Sequence, residues 1–158
     1  MRASRFLTAI WLCVAGCDSV PVKDADASAD GGITARGEIF VARRGCPNCH
    51  QSSDPADGTL SGSTIPRLGT QVYAANLTPD DETGLGRWSD DDIARAIRQG
   101  FALGFVPLCS QMSRFDHMSD DEVIAIIAYL RSLPPVRRAI PPSVCPPIKP
   151  QTDAATDG

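Results

Sequence analysis

Cys46, Cys49 and His50 stand within Gly45-Cys46-Pro47-Asn48-Cys49-His50-Gln51, and their types and spacing allow three chemistries. Two thiols separated by two residues can cycle between dithiol and disulfide, or supply half of a tetrahedral zinc site. They can also anchor a porphyrin covalently, with the adjacent imidazole placed to bind its iron. A dithiol enzyme needs the motif at the end of a strand, opening a long helix whose N-terminus stabilises the thiolate. Here the motif follows a helical stretch, RGEIFVARRG, and precedes a polar loop. Structural zinc needs four ligands. No second closely spaced Cys or His pair is present: His117 is isolated, and Cys109 and Cys145 are far apart in sequence. Covalent porphyrin attachment needs only what the stretch contains.

Three helical stretches are available to position these groups. The first covers residues 35–44, with Thr34 as its cap, Glu38 suited to its positive end and Gly45 suited to the turn that stops it. The second starts at Ser89 with three aspartates in its first turn; Ile93, Ala96 and Ile97 share one face and Gly100 ends it. The third has Ser119 as cap and Glu122 three residues on, the reciprocal capping pattern. Val123, Ile126, Ile127, Leu130 and Leu133 form its apolar stripe, and Pro134 with Pro135 forbids continuation. The first and third stretches are expected to cross at Gly37, bringing Phe40 and Val41 against Ile126, Tyr129 and Leu130. Strand signals are nearly absent. Residues 51–76 are dominated by Gly, Ser, Asp and Pro, a long loop that needs something to wrap around.

Composition narrows the rest. With 6% aromatics, 13 Gly and 13 Pro in 158 residues, the chain can bury only a modest core, and a large apolar cofactor would help it fold. The formal charge of −4 and the lack of a basic cluster beyond the N-terminus argue against nucleic acid as a partner. Residues 1–16 read as an export signal: Arg2 and Arg5, then an apolar run shorter than the roughly 20 residues of a membrane-spanning helix. Val14-Ala15-Gly16-Cys17 resembles a bacterial lipobox, which would make Cys17 the lipidated first residue of the mature chain. Residues 17–33 read as a flexible acidic tether, 34–146 as the folded domain and 147–158 as a disordered tail.

The helix leading into CPNCH, then IPRLG, NLTPDDETGLGRWSDDDIARAIRQG, a methionine loop and MSDDEVIAIIAYLRSLPPV, together resemble a class I, single-haem c-type cytochrome over residues 34–136. The segment opening with NLTPD is similar to the haem domains of cytochrome subunits that collect electrons from membrane-associated dehydrogenases. The resemblance implies an all-α fold of three main helices and long loops around one covalently bound haem c, held by Cys46, Cys49 and His50. It implies Met112 as the sixth iron ligand, although Ser113 stands where the family often has proline. Met118, His117 and Cys109 are the other candidates; Met118, just before the cap, would instead pack on Val123 as a hydrophobic staple. The resemblance also gives Pro66 the backbone carbonyl that orients His50, and sets Arg87 and Trp88 at the haem propionates.

Six cysteines, less Cys13 removed with the signal, Cys17 carrying lipid and Cys46 with Cys49 on haem, leave Cys109 and Cys145. In an oxidising compartment these two are expected to pair and strap the C-terminal extension onto the Met112 loop. The expected function is one-electron transfer on a haem with His50 and Met112 as axial ligands, in the periplasm of a bacterial envelope, lipid-tethered to the membrane. Its partners would be a redox donor and acceptor, including a membrane-associated dehydrogenase or oxidase. No constellation of general acid, base or nucleophile makes the chain an enzyme by itself. A haem-based sensor with an open sixth position and a thiol–disulfide oxidoreductase are the alternatives.

Overall fold

The apolar stripe of the last long helix among the described residues organises the fold, and the two other long helices pack against it. The computed structural model describes residues 26–147. It contains α1 (Asp26–Arg43), a single turn α2 (Pro47–His50), α3 (Asp90–Gln99) and α4 (Asp120–Ser132), with short 3₁₀ turns at Pro55–Asp57 and Leu103–Phe105. Extended pairing among the described residues is limited to two isolated bridges, Gln71 with Val144 and Phe101 with Pro107. The expected signal segment, Cys17 and almost all of the expected tail lie outside the described residues.

In α4, Val123, Ala125, Ile126, Ile127 and Leu130 are buried. Their spacing follows the helical repeat, and each large aliphatic contributes about 1.5–3 kcal/mol on full burial. Val123, Ile126, Ile127 and Leu130 form one core with Val41, Leu60, Leu85, Ile93, Met118 and Leu133, flanked by Phe40, Trp88, Ile97 and Tyr129. α1 crosses α4 at Gly37. A β-carbon there would fall 1.9 Å from the Ala125 carbonyl oxygen and 2.7 Å from Cβ of Tyr129, so only glycine permits the approach.

The caps follow sequence chemistry, with two corrections. Around α3, the Ser89 hydroxyl accepts from the Asp92 N–H and the Asp92 carboxylate accepts from the Ser89 N–H, while Gly100 closes the helix at φ 73°. At α4 the Ser119 hydroxyl accepts from the Glu122 N–H at 3.3 Å, but the Glu122 carboxylate does not return to the cap. It takes a two-pronged bond from Arg44, at 2.7 and 2.8 Å, and so ties the end of α1 to the start of α4. The second correction concerns α1, which starts at Asp26 instead of after Thr34. Once the Gly37–Val41 region is packed, each further helical residue adds a hydrogen bond without a new nucleus, and the helix propagates through Thr34 into the expected tether.

Arginines fasten the loops. Arg131 of α4 donates to the carbonyls of Leu85 and Trp88 at 2.9 and 2.5 Å and to the Asp90 carboxylate. Arg98 of α3 donates to the Met118 carbonyl at 2.9 Å and to Asp120 at 2.6 Å. The buried pair Asn76 and Thr78 does the same for the chain after α4: Asn76 Nδ2 donates to the Val136 carbonyl at 2.7 Å, and the Val136 N–H donates to Thr78 Oγ1 at 3.1 Å.

Candidate cofactor site

Gly45 adopts φ 72°, the left-handed turn that ends α1, and Pro47 then starts α2 where its missing N–H costs nothing. The Cys46 carbonyl accepts from the N–H groups of Cys49 and His50, at 3.3 and 3.0 Å. One helical turn therefore carries both sulfurs and the imidazole. Cys46 and Cys49 are unpaired thiols, each partly buried. Burial pushes the Cys46 thiol up, against a weaker opposing pull from a backbone hydrogen bond. That is the reverse of the activation a dithiol enzyme requires. Among the described residues no three His, Cys, Asp or Glu side chains gather into a metal-holding cluster, so none of them completes a tetrahedral zinc site with Cys46 and Cys49.

His50 is buried, 9% exposed. Its Nδ1 lies 2.8 Å from the carbonyl oxygen of Ala75. Burial lowers its pKa and the Ala75 carbonyl partly offsets this, so the ring is neutral at pH 7, with Nδ1–H as donor. Nε2 makes no hydrogen bond among the described residues and keeps its lone pair for a metal. The resemblance assigns the orienting carbonyl to Pro66. The carbonyl within reach belongs to Ala75, and Pro66 is instead an exposed residue on the wall of a neighbouring cleft.

Backbone packing fixes the Ala75 carbonyl in place. The Gly62 N–H donates to the His50 carbonyl at 2.8 Å, and the Ser63 N–H donates to the Ala74 carbonyl at 3.0 Å. Gly62 has φ 86°, and a β-carbon on it would come within 2.8–2.9 Å of the Ala74–Asn76 backbone. Sequence reasoning missed this pair, because a carbonyl is offered by every residue type and leaves no compositional trace.

The neighbouring cleft, about 530 Å³, is lined by residues 65–71 with Val144 and Pro146. Arg67 in its wall reaches the Asn48 carbonyl, between the two cysteines, in a long 3.4 Å contact. Ile65, Leu68 and Val144 in this wall are exposed apolar side chains, Leu68 fully so. Paired free thiols, an oriented imidazole with a free nitrogen and exposed apolar walls match the chemistry of a covalently held haem, which offers reactive vinyl carbons, an iron and a broad apolar face.

The other expected residues are distributed as follows. Met112 is partly buried in a turn where its N–H donates to the Cys109 carbonyl at 3.0 Å. Met118 is 5% exposed and sits in the core with Val123, the staple arrangement. His117 is exposed and pairs with Asp116. Cys109 and Cys145 are joined in a disulfide, with Cα atoms 5.0 Å apart. Trp88 packs on the core and its carbonyl is held by Arg131; Arg87 is exposed.

Among known proteins, the family model for cytochrome c matches residues 34–134. The gluconate 2-dehydrogenase cytochrome c subunit of Pantoea cypripedii is 37% identical over 118 residues, 64% of this chain and 26% of the relative. The cytochrome c subunit of the quinone alcohol dehydrogenase of Gluconobacter oxydans is 33% identical over 115 residues, 65% of this chain and 24% of the relative. A diheme c-type cytochrome of Cereibacter sphaeroides is 31% identical over 118 residues, 70% of this chain and 40% of the relative. The chain thus spans well under half the length of each of these relatives.

Proposed function

Because the chain belongs to the cytochrome c family, whose all-α fold it has and whose members carry covalently attached haem c, we propose that it holds one haem through Cys46 and Cys49 and passes single electrons between redox partners. The observation that carries the reading is the 2.8 Å contact from His50 Nδ1 to the Ala75 carbonyl, one residue from a free thiol. Bound there, haem c supplies an iron that takes up and gives back one electron.

The chain's own residues do the rest. Cys46 and Cys49 would hold the haem through thioether links and His50 would bind its iron through Nε2, while the Ala75 carbonyl fixes the ring. Met112 would be the further protein ligand of the iron, a neutral thioether that would favour the less charged metal. Ile65, Leu68 and Val144 exclude water from the cofactor's apolar face, and Pro66, Arg87 and Trp88 line its surroundings. The disulfide from Cys109 to Cys145 holds the Met112 turn against fraying. Cys17 carries the lipid that tethers the protein to the membrane on the periplasmic side.

A dehydrogenase is the proposed electron donor, since the gluconate and alcohol relatives are dehydrogenase subunits by name. Copurification with such an enzyme would separate a docked subunit from a free carrier. An absorption spectrum of protein exported from a host able to mature c-type cytochromes tests the central reading. It should give a c-type pyridine haemochrome at one haem per chain, with the weak far-red band of methionine-ligated iron. Colourless protein from such a host would overturn it.

A further inference from the structure

The chain beyond α4 runs back along the segment that orients His50. Val144 pairs with Gln71 in the antiparallel bridge, its N–H donating to the Gln71 carbonyl at 2.9 Å. One residue earlier, the Ser143 hydroxyl binds Tyr73 twice. It accepts from the Tyr73 N–H at 2.9 Å and donates to the Tyr73 carbonyl at 3.2 Å. One residue later, Cys145 is bonded to Cys109, whose carbonyl accepts from the Met112 N–H. Tyr73 itself lies two residues before Ala75, the acceptor for His50.

Three consecutive residues therefore touch both segments that bear on the proposed iron ligands. Each is exposed, so little apolar burial holds the strap, and its place depends on the disulfide and on a few hydrogen bonds. The two constraints differ in kind. The disulfide limits how far the strap can stray from the Met112 turn, whereas the Ser143 hydroxyl sets its register along residues 71–75 by standing in for a backbone ladder pair. Pro141 and Pro142 immediately before it carry no N–H and cannot take over that pairing.

We propose that Ser143 is a positioning residue that keeps the Ala75 carbonyl and the Met112 turn in one register, so that loosening the strap loosens both. The consequence for the iron rests on the ligand assignment proposed above; the mechanical coupling does not.

The test uses full-length holoprotein with Ser143→Ala, Ser143→Thr and the double change Cys109→Ser with Cys145→Ser. Amide hydrogen exchange is followed at residues 71–76 and 109–114, and imidazole binding to the ferric protein is titrated. Ser143→Ala should speed exchange in both segments and raise the apparent imidazole affinity by about five- to tenfold, the scale of one or two lost hydrogen bonds. Ser143→Thr, which keeps the hydroxyl, should restore wild-type values, and the double variant should loosen both segments further. Faster exchange confined to residues 143–145, or a threonine variant as impaired as alanine, would overturn the proposal. A wrong ligand assignment shows differently: Met112→Ala would keep the far-red band while the exchange coupling persisted.

Discussion

Gly37 and Ala125 sit in direct backbone contact where α1 crosses α4, with space for a hydrogen atom and none for a methyl group. The crossing joins the helix that leads into the cysteine motif to the helix that contributes more buried apolar side chains than any other described helix.

Gly37→Ala should therefore destabilise the protein by about 1–3 kcal/mol, the range for forcing an extra methyl into a packed interface. Gly32 in the same helix has nothing within 4 Å. Gly32→Ala should stabilise by up to about 1 kcal/mol through helix propensity alone. Urea denaturation of the two variants checks the pair; similar effects would mean that the crossing is looser than described.

Gly62 and Gly104 separate conformational strain from packing. Both have positive φ, at 86° and 68°, but only Gly62 faces backbone at 2.8–2.9 Å. Gly104→Ala should cost about 1 kcal/mol or slightly more from its dihedral angles. Gly62→Ala should cost more and also shift the reduction potential, because it pushes away the segment that holds His50. An unchanged potential would detach Ala75 from the site.

The two methionines should part ways. Met112→Ala should abolish the far-red band with modest loss of fold stability. Met118→Ala should keep the band and lower stability by about 2–5 kcal/mol, as for other buried methionines. Optical spectra and thermal melts on the same samples would expose a reversed assignment.

Arg44 holds the Glu122 carboxyl below its ordinary range, chiefly through their hydrogen bonds. The folded-state value lies under the unfolded one. The stabilisation is therefore complete above the unfolded value and disappears as pH falls through the folded one. Glu122→Gln should flatten the decline of stability across that acidic interval and change its slope little at neutral pH. Parallel slopes for variant and wild type would remove the pair from the acid response.

Holoprotein denatured without reductant should offer no reactive thiol from Cys46, Cys49, Cys109 or Cys145. Two reactive groups would point to an open disulfide or an unattached cofactor.

Much of this was legible in the sequence where the cause is local. Ser89, Gly100, Ser119 and Pro134 mark helix ends because capping and helix breaking act within a few residues. Cys46, Cys49 and His50 announce themselves by spacing. Gly37 was readable because a glycine facing an aliphatic stripe suggests close approach. The start of α1 was not, since propagation from a packed nucleus overrides the weak preferences of residues 26–33. Ala75 was invisible because it acts through its backbone. Arg44 with Glu122 and Ser143 with Tyr73 join residues 78 and 70 positions apart, separations at which no short pattern survives.

The contact between α1 and α4 also imposes an order of events on a growing or emerging polypeptide. The partner that packs on α1 is the last of the described helices to appear, about 70 residues after the paired sulfurs. Until Asp120–Ser132 arrives, Gly37 has no Ala125 to pack against and Arg44 has no Glu122 to bind, so the helix that leads into CPNCH is held by local interactions alone.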